Sequence, residues 1–396
     1  LRRGLFFAIA PIPVAADRKN HLGYILIAYA SLFCYGMMDN LRGPAYPFIL
    51  EKFNVSMSRG SLIFVLASLF GMFAVMTGPY WLSRLGDIKS QIIFLFIFSV
   101  GSLGMALSGY LENGYPVLLI SSAIFGLALG GSSICVNMLV ALGSRPANRR
   151  RLFSGLHSTY GIASVLAPLI FSLTMESGHN WQFVFLMLAV VPVFIGLSGL
   201  GVNRIEHLPE SSKKPSDIKL IRRIGIGCIF SCYCAAEMAI STRLVVFAMR
   251  AYGANHIDAD SLLSLFFALL LLGRFAFSIL PVRASNFFLM FISLLASLFL
   301  YLLGIFVHPI FMAACGLSMS YYFPCGMDWI SKRFGKNAGF MMSSVMTSLY
   351  AALVIMHFGV GVISDAAGIK YAMLIGPVSL AAAIVLICRM RKEFII

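Results

Sequence analysis

Apolar residues run on along this chain for about 20 to 30 positions at a time and then stop at charges or Gly/Pro clusters. Cut at those stops, the apolar runs cover 22–48, 58–82, 90–110, 115–142, 153–176, 181–202, 223–248, 260–282, 286–306, 308–330, 337–361 and 369–389. At about 1.5 Å of rise per residue, each run is long enough to cross a hydrocarbon core of about 30 Å. Gly and Pro inside them are compatible with this, because helices in lipid tolerate both. The pattern predicts an all-α integral membrane protein with twelve transmembrane helices.

The one long polar stretch, Arg204 to Arg223, divides the runs into two sets of six. The expected organisation is a tail at 1–21, a six-helix half at 22–202, a linker at 203–222, a second half at 223–390 and a tail at 391–396. Short parallels suggest that the halves are pseudo-symmetric. Gly126-Leu-Ala-Leu in the fourth run matches Gly316-Leu-Ser-Met in the tenth, and Gly78 through Ser83 matches Gly273 through Ser278. Duplicated halves are a transporter architecture, with the substrate site between them near the midplane. Near the start, Arg2-Arg3, the apolar residues up to Ala10 and Val14-Ala15-Ala16 loosely resemble a signal peptide. Two prolines interrupt that run, and it abuts a helix that can itself direct insertion, so a cytoplasmic tail is the expected reading.

Composition agrees: 60% of residues are hydrophobic and 11% charged, against about 25% charged in a soluble domain. The net charge of +15 could point to nucleic acid, but the basic residues sit in short clusters between apolar runs. Arg2, Arg3, Arg18 and Lys19, then Arg84 and Lys89, then Arg145 and Arg149 to Arg151, then Arg204 to Arg223, then Lys332, Arg333 and Lys336, and finally Arg389, Arg391 and Lys392 all fall on one side of a twelve-helix path. The other side keeps Lys52, Arg59, Arg250 and Lys370. That asymmetry puts both termini in the cytoplasm, and a multi-pass location in the cell inner membrane is expected. All eight cysteines lie in apolar segments without metal-site spacing, and no Walker, HExxH or GxSxG motif is present. An enzyme, a metal site and a cofactor are therefore not expected.

Ionisable groups inside a bilayer cost about 2.5–3.5 kcal/mol each on insertion scales, so each is a candidate for function. Asp39, Glu237, Asp328, Arg42, Arg243, Arg274 and His157 qualify. Glu237 falls near the middle of the seventh run with no base one turn away, which suits a group that gains and loses a proton. Asp39 and Arg42, three apart, can pair; Arg42 could draw an anionic substrate group or release Asp39 for protonation, and the pair could equally just hold the helix end. Arg243 lies on another face from Glu237 and is expected to snorkel outward.

The ordered residues resemble the major facilitator superfamily, and within it the fucose-permease-like branch of sugar:proton symporters. Met38-Asp39-Asn40-Leu41 ahead of Pro47 is similar to that branch's helix-one turn, and Leu156-His157-Ser158-Thr159-Tyr160-Gly161 with Ala167-Pro168 to its helix five. Glu237 with Tyr252-Gly253, and Gly273-Arg274-Phe275, continue the likeness. There are departures too. The loop Ser83-Arg84-Leu85-Gly86-Asp87-Ile88-Lys89 has its acid displaced from the usual Asp-Arg-x-Gly order, and Gly43 and Ser133 stand where the fucose permease has acids. The helix-five pattern of proton-driven drug antiporters is only partial. The resemblance implies the major facilitator fold, gate ion pairs towards the cytoplasm (here Arg84, Arg274 and Asp328) and a cavity lined by helices one, four, seven and ten. Tyr35 and Asn40, then Ser132, Ser133 and Asn137, then Ser318, Ser320, Tyr321 and Tyr322 are the polar candidates there. His157 is a candidate relay.

The expected function is secondary active transport of a small polar organic solute by proton-coupled alternating access, with Glu237 and Asp39 as coupling acids and import favoured. A proton-coupled exporter of the same fold is the alternative; a non-transporting membrane sensor or scaffold is a third reading. The expected partners are the solute, a proton and the lipid bilayer. The chain is expected to act as a monomer without nucleic acid.

Overall fold

A computed structural model describes residues 21–203, 218–279 and 284–394; the expected first tail, nearly all of it before residue 21, and most of the linker lie outside them. Among the described residues there are twelve helices long and apolar enough to cross a membrane. The first half holds α1 (Leu22–Phe53), α2 (Met57–Leu85), α3 (Asp87–Ser108), α4 (Tyr115–Gly143), α5 (Pro146–Glu176) and α6 (Trp181–Leu200). The second holds α7 (Leu220–Tyr252), α8 (His256–Ile279), α9 (Asn286–Phe306), α10 (Ile310–Met319), α11 (Tyr322–Phe334), α12 (Ala338–Ala367), α13 (Ile369–Ala372), α14 (Ile375–Arg389) and the short terminal α15 (Arg391–Phe394).

Two expected spans are each built from two pieces. The run 308–330 is α10 plus α11, and 369–389 is α13 plus α14. The cause is the same in both. Pro324 and Pro377 have no N–H to offer the carbonyl four residues back, at Ser320 and Met373, and helical bonding lapses there. A third difference concerns α8, which begins at His256, a full turn before the expected start at Asp260. That turn carries Asp260 into the helix, where it is 1% exposed.

The halves are related as the sequence parallels suggest. α4 packs on α2 and α10 packs on α8. A Cβ on Gly126 would strike the Ala67 carbonyl of α2, and one on Gly316 would strike the Phe266 carbonyl of α8. Each repeat motif is thus the place where a fourth-type helix lies directly against backbone of a second-type helix, as small residues permit in membranes. Between halves, α1 meets α7, α2 meets α12 and α5 meets α8. The face bearing the α1–α2 and α7–α8 loops is called the outer end, after the basic-residue pattern. There the seams are tight. Asp365 of α12 accepts the Met57 and Ser58 N–H groups at 2.7 and 2.9 Å, and edge-on contacts join Phe48 to His256.

Candidate functional site

Asp39 and Glu237 occupy matching places, the same number of residues after the first residues of α1 and α7, Leu22 and Leu220. Each has found an arginine. Asp39 Oδ1 pairs with Arg42 one turn on, with side chains 9% and 5% exposed, and its Oδ2 accepts the Tyr160 hydroxyl of α5 at 2.8 Å. Asn40 Nδ2 donates to Ser164 Oγ at 2.9 Å. Glu237 Oε1 lies 3.8 Å from Arg274 of α8, and these two are more open, 18% and 32% exposed. A separation of 3.8 Å is an ion pair without a hydrogen bond.

Beside the Glu237–Arg274 pair, and reaching α1 and α5 at Asn40 and Tyr160, lies a small pocket that is partly open to solvent. Its polar lining is Asn40, Tyr160, Ser164, Glu237, Ser241 and Arg274, with Phe267, Leu270 and Leu271 as its apolar wall. One carboxylate, one guanidinium, one amide and three hydroxyls around an apolar wall fit a small polar organic solute. A second, more open hollow lies at the outer end, lined by the end of α7, the first turns of α8 and the α9–α10 loop, with Asp258 and His308 among its residues.

Arg243 does not snorkel. It is 0% exposed, and it reaches across to α2, donating to Ser61 Oγ at 3.0 Å. Its guanidinium carbon sits 4.4 Å from the Tyr46 ring centre and 4.2 Å from that of Phe64. Phe64 also takes Arg42 at 5.2 Å and stacks on the buried His357 at 5.0 Å. Among the described residues Arg243 pairs with no carboxylate. Aromatic faces supply its negative potential, so this bridge between halves does not depend on a titrating acid.

The expected gate trio is not assembled. Arg274 is with Glu237; Asp328 accepts from Asn286 at 2.8 Å and from Lys332 at 2.6 Å; Arg84 lies over the Tyr80 ring at 4.0 Å. The reason is rotation: Arg274 shares an α8 stripe with Phe267 and Leu271, and that stripe faces the other half. His157 is exposed three residues before Tyr160. The pocket draws on α1, α5, α7 and α8, whereas the expected lining came from helices one, four, seven and ten. Ser133 and Asn137 bond back to their own helix, each at 2.7 Å, and Ser132 bonds Gln91 at 2.8 Å. Tyr35 packs edge-on against Phe98 at 4.4 Å, Tyr322 stacks on Tyr233 at 4.0 Å, and Tyr321 stacks on Phe277 at 5.9 Å. Ser318 and Ser320 bond backbone of α10, at 3.0 and 2.7 Å. Sequence reasoning passed over Ser164 and Ser241; four residues after Tyr160 and Glu237 respectively, they share a helix face with those residues, a signal that spacing carries. Gly43 has its own explanation, since a Cβ there would lie 2.8 Å from the Ser241 carbonyl of α7. An acid at that position would wedge the two halves apart.

Comparison with known proteins agrees with this architecture. The profile of the family described as the Major Facilitator Superfamily matches residues 28–356. A "Protein TsgA homolog" of Serratia proteamaculans is 21% identical over 66% of this chain and 66% of its own length. "Efflux pump alnA" of Emericella nidulans is 23% identical over 55% of this chain and 38% of its own. The chain thus spans less than two thirds of these relatives. Among solved structures, the inward-open xylose transporter XylE from E. coli superposes with a TM-score of 0.74 at 13% identity, covering 95% of this chain and 96% of that one. FucP, in an outward conformation, gives 0.62 at 16% identity, covering 93% and 99%.

Proposed function

The chain belongs to the Major Facilitator Superfamily, and from that premise we propose that it is a secondary active transporter carrying a small polar organic solute by proton-coupled alternating access, import favoured. The observation that carries this reading is the pair of carboxylates at matching places on α1 and α7, each beside an arginine, with Glu237 and Arg274 lining the pocket between the halves. The two couples are unequal, and this supports a division of tasks between them. Asp39 is held by Arg42 and Tyr160 together, so it orients the α1 wall. Glu237 has a looser partner, and it faces the pocket. A proton arriving on Glu237 cancels its charge and frees the Arg274 guanidinium to engage an oxygen of the solute. When the proton leaves, Arg274 returns to Glu237 and the solute loses its anchor. That exchange links proton and solute without any direct contact between them. The tight outer seams, with Asp365 and Arg243 hydrogen-bonded across the halves, fit a state open towards the opposite end. The clustering of Lys and Arg supports an inner-membrane location with cytoplasmic termini.

The test begins with a thermal-shift screen of purified protein against sugars, organic acids and amino acids. The solute that raises the melting temperature is then used in proteoliposomes. Glu237→Gln should abolish accumulation driven by a pH gradient and spare solute exchange; unchanged accumulation would refute the coupling role. Export is the second reading, favoured by the likeness to an efflux pump, and loss of preloaded solute under an inward proton gradient would select it.

A further inference from the structure

The outer seam between α5 and α8 contains polar groups that neither couple uses. Asp260 is 1% exposed and Ser264 6% exposed. Neither oxygen of the Asp260 carboxyl has a hydrogen-bond partner, and the same holds for Ser264 Oγ and for His256 Nε2. His256, Asp260 and Ser264 are four apart, so they form one stripe of α8, which Phe267, Leu271 and Arg274 continue down to the pocket. Facing it on α5, Ser172 is 7% exposed with its Oγ unpartnered, on the stripe that continues through Ser164 to Gly161. Phe48 closes this seam from outside, packing on Phe171 at 5.7 Å and on His256 at 6.0 Å.

We infer that Asp260 is a proton-binding site that controls closure of the outer seam, so that the seam shuts only when this carboxyl carries a proton. A carboxylate moved out of water with no donor and no counter-charge is costly, and a proton on one oxygen removes that cost. Among the described residues no cation forms an ion pair with it. Glu51 and Lys52 at the end of α1, Glu176 at the end of α5 and Arg250 at the end of α7 are all exposed, and α10 carries no charged residue. On its own helix Asp258 is exposed, Arg274 lies about four turns on beside Glu237, and His256 is one turn away. The proton comes from outer water as the seam closes, forming an O–H bond on Asp260, and returns to outer water when the seam reopens. It is therefore not the transported proton, and Asp260 acts as a sensor of outer pH. This inference rests on the alternating-access reading above, though not on which acid couples transport.

The test uses Ser172→Cys in protein reconstituted in vesicles and a membrane-impermeant maleimide added outside, with no solute present. With Asp260 intact, labelling should rise several-fold as the outer medium goes from acid to alkaline. With Asp260→Asn it should stay low throughout, and Asp260→Glu should restore the response. Labelling that ignores pH with Asp260 intact, or that rises equally with Asp260→Asn, overturns the inference. Glu237→Gln should leave this labelling response untouched while uncoupling transport. A failure of Glu237→Gln to uncouple would thus count against the transport mechanism alone.

Discussion

Asp365 joins the two halves by accepting the first free N–H groups of a helix in the other half, and removing its charge should open the outer end. The bonds to Met57 and Ser58 N–H, 2.7 and 2.9 Å, meet α2 at its first turn, where unpaired donors and the helix dipole both favour an anion. A hydrogen bond to a charged group contributes about 1.5–3 kcal/mol, and a charge at an exposed helix start about 0.3–1 kcal/mol. Asp365→Asn keeps one acceptor, loses the other and loses the charge. Because Asp365 is exposed, water screens part of the effect. The net cost to the closed outer end is then about 1.5–2 kcal/mol, a shift of roughly 10- to 30-fold in the open-to-closed ratio. Spin labels at Glu112 and Lys370, exposed at the outer ends of opposite halves, with the exposed Cys388 replaced by Ser, would report this by pulsed electron paramagnetic resonance. A longer-distance population should appear in Asp365→Asn at the expense of the shorter one. An unchanged distance distribution would refute the role of Asp365 as a clasp.

The same label pair should show a longer-distance population in Gly43→Ala, because the added methyl meets the Ser241 carbonyl at 2.8 Å; an unaltered distribution would mean that α1 and α7 can yield without parting. Arg274→Gln should lower the melting temperature by a few degrees, since it leaves the Glu237 charge half-buried without its partner. Adding Glu237→Gln should recover most of that loss without restoring proton coupling, and a double variant as unstable as the single one would contradict the pairing. Tyr160→Phe removes one hydrogen bond to a charged carboxylate, worth about 1.5 kcal/mol at least, so the melting temperature should fall by a few degrees; unchanged melting would mean that Arg42 alone holds Asp39. Arg243→Met should alter thermal stability by less than about 1 kcal/mol, because a buried cation without a carboxylate loses in desolvation about what it gains from aromatic rings; a loss of about 3–5 kcal/mol, typical of a broken buried ion pair, would show that Arg243 has a charged partner.

Twelve spans, their order and their division into halves could be read from the chain alone. Hydropathy answers a question put to each segment separately, namely whether it can replace water by hydrocarbon along its whole length. The Asp39–Arg42 pair was legible for a similar reason, since both partners lie on one helix turn. What the tertiary structure decided was how each helix is rotated about its axis. Helices apolar nearly all round bear little record of which face meets protein and which meets lipid. Arg274 therefore left its expected gate to join Glu237, and Arg243 turned inward to a cage of rings instead of outward to water. Asp260 marked the edge of an apolar run in the sequence, yet it is sealed inside the outer seam, because an extra helical turn and the packing of α5 on α8 enclose it.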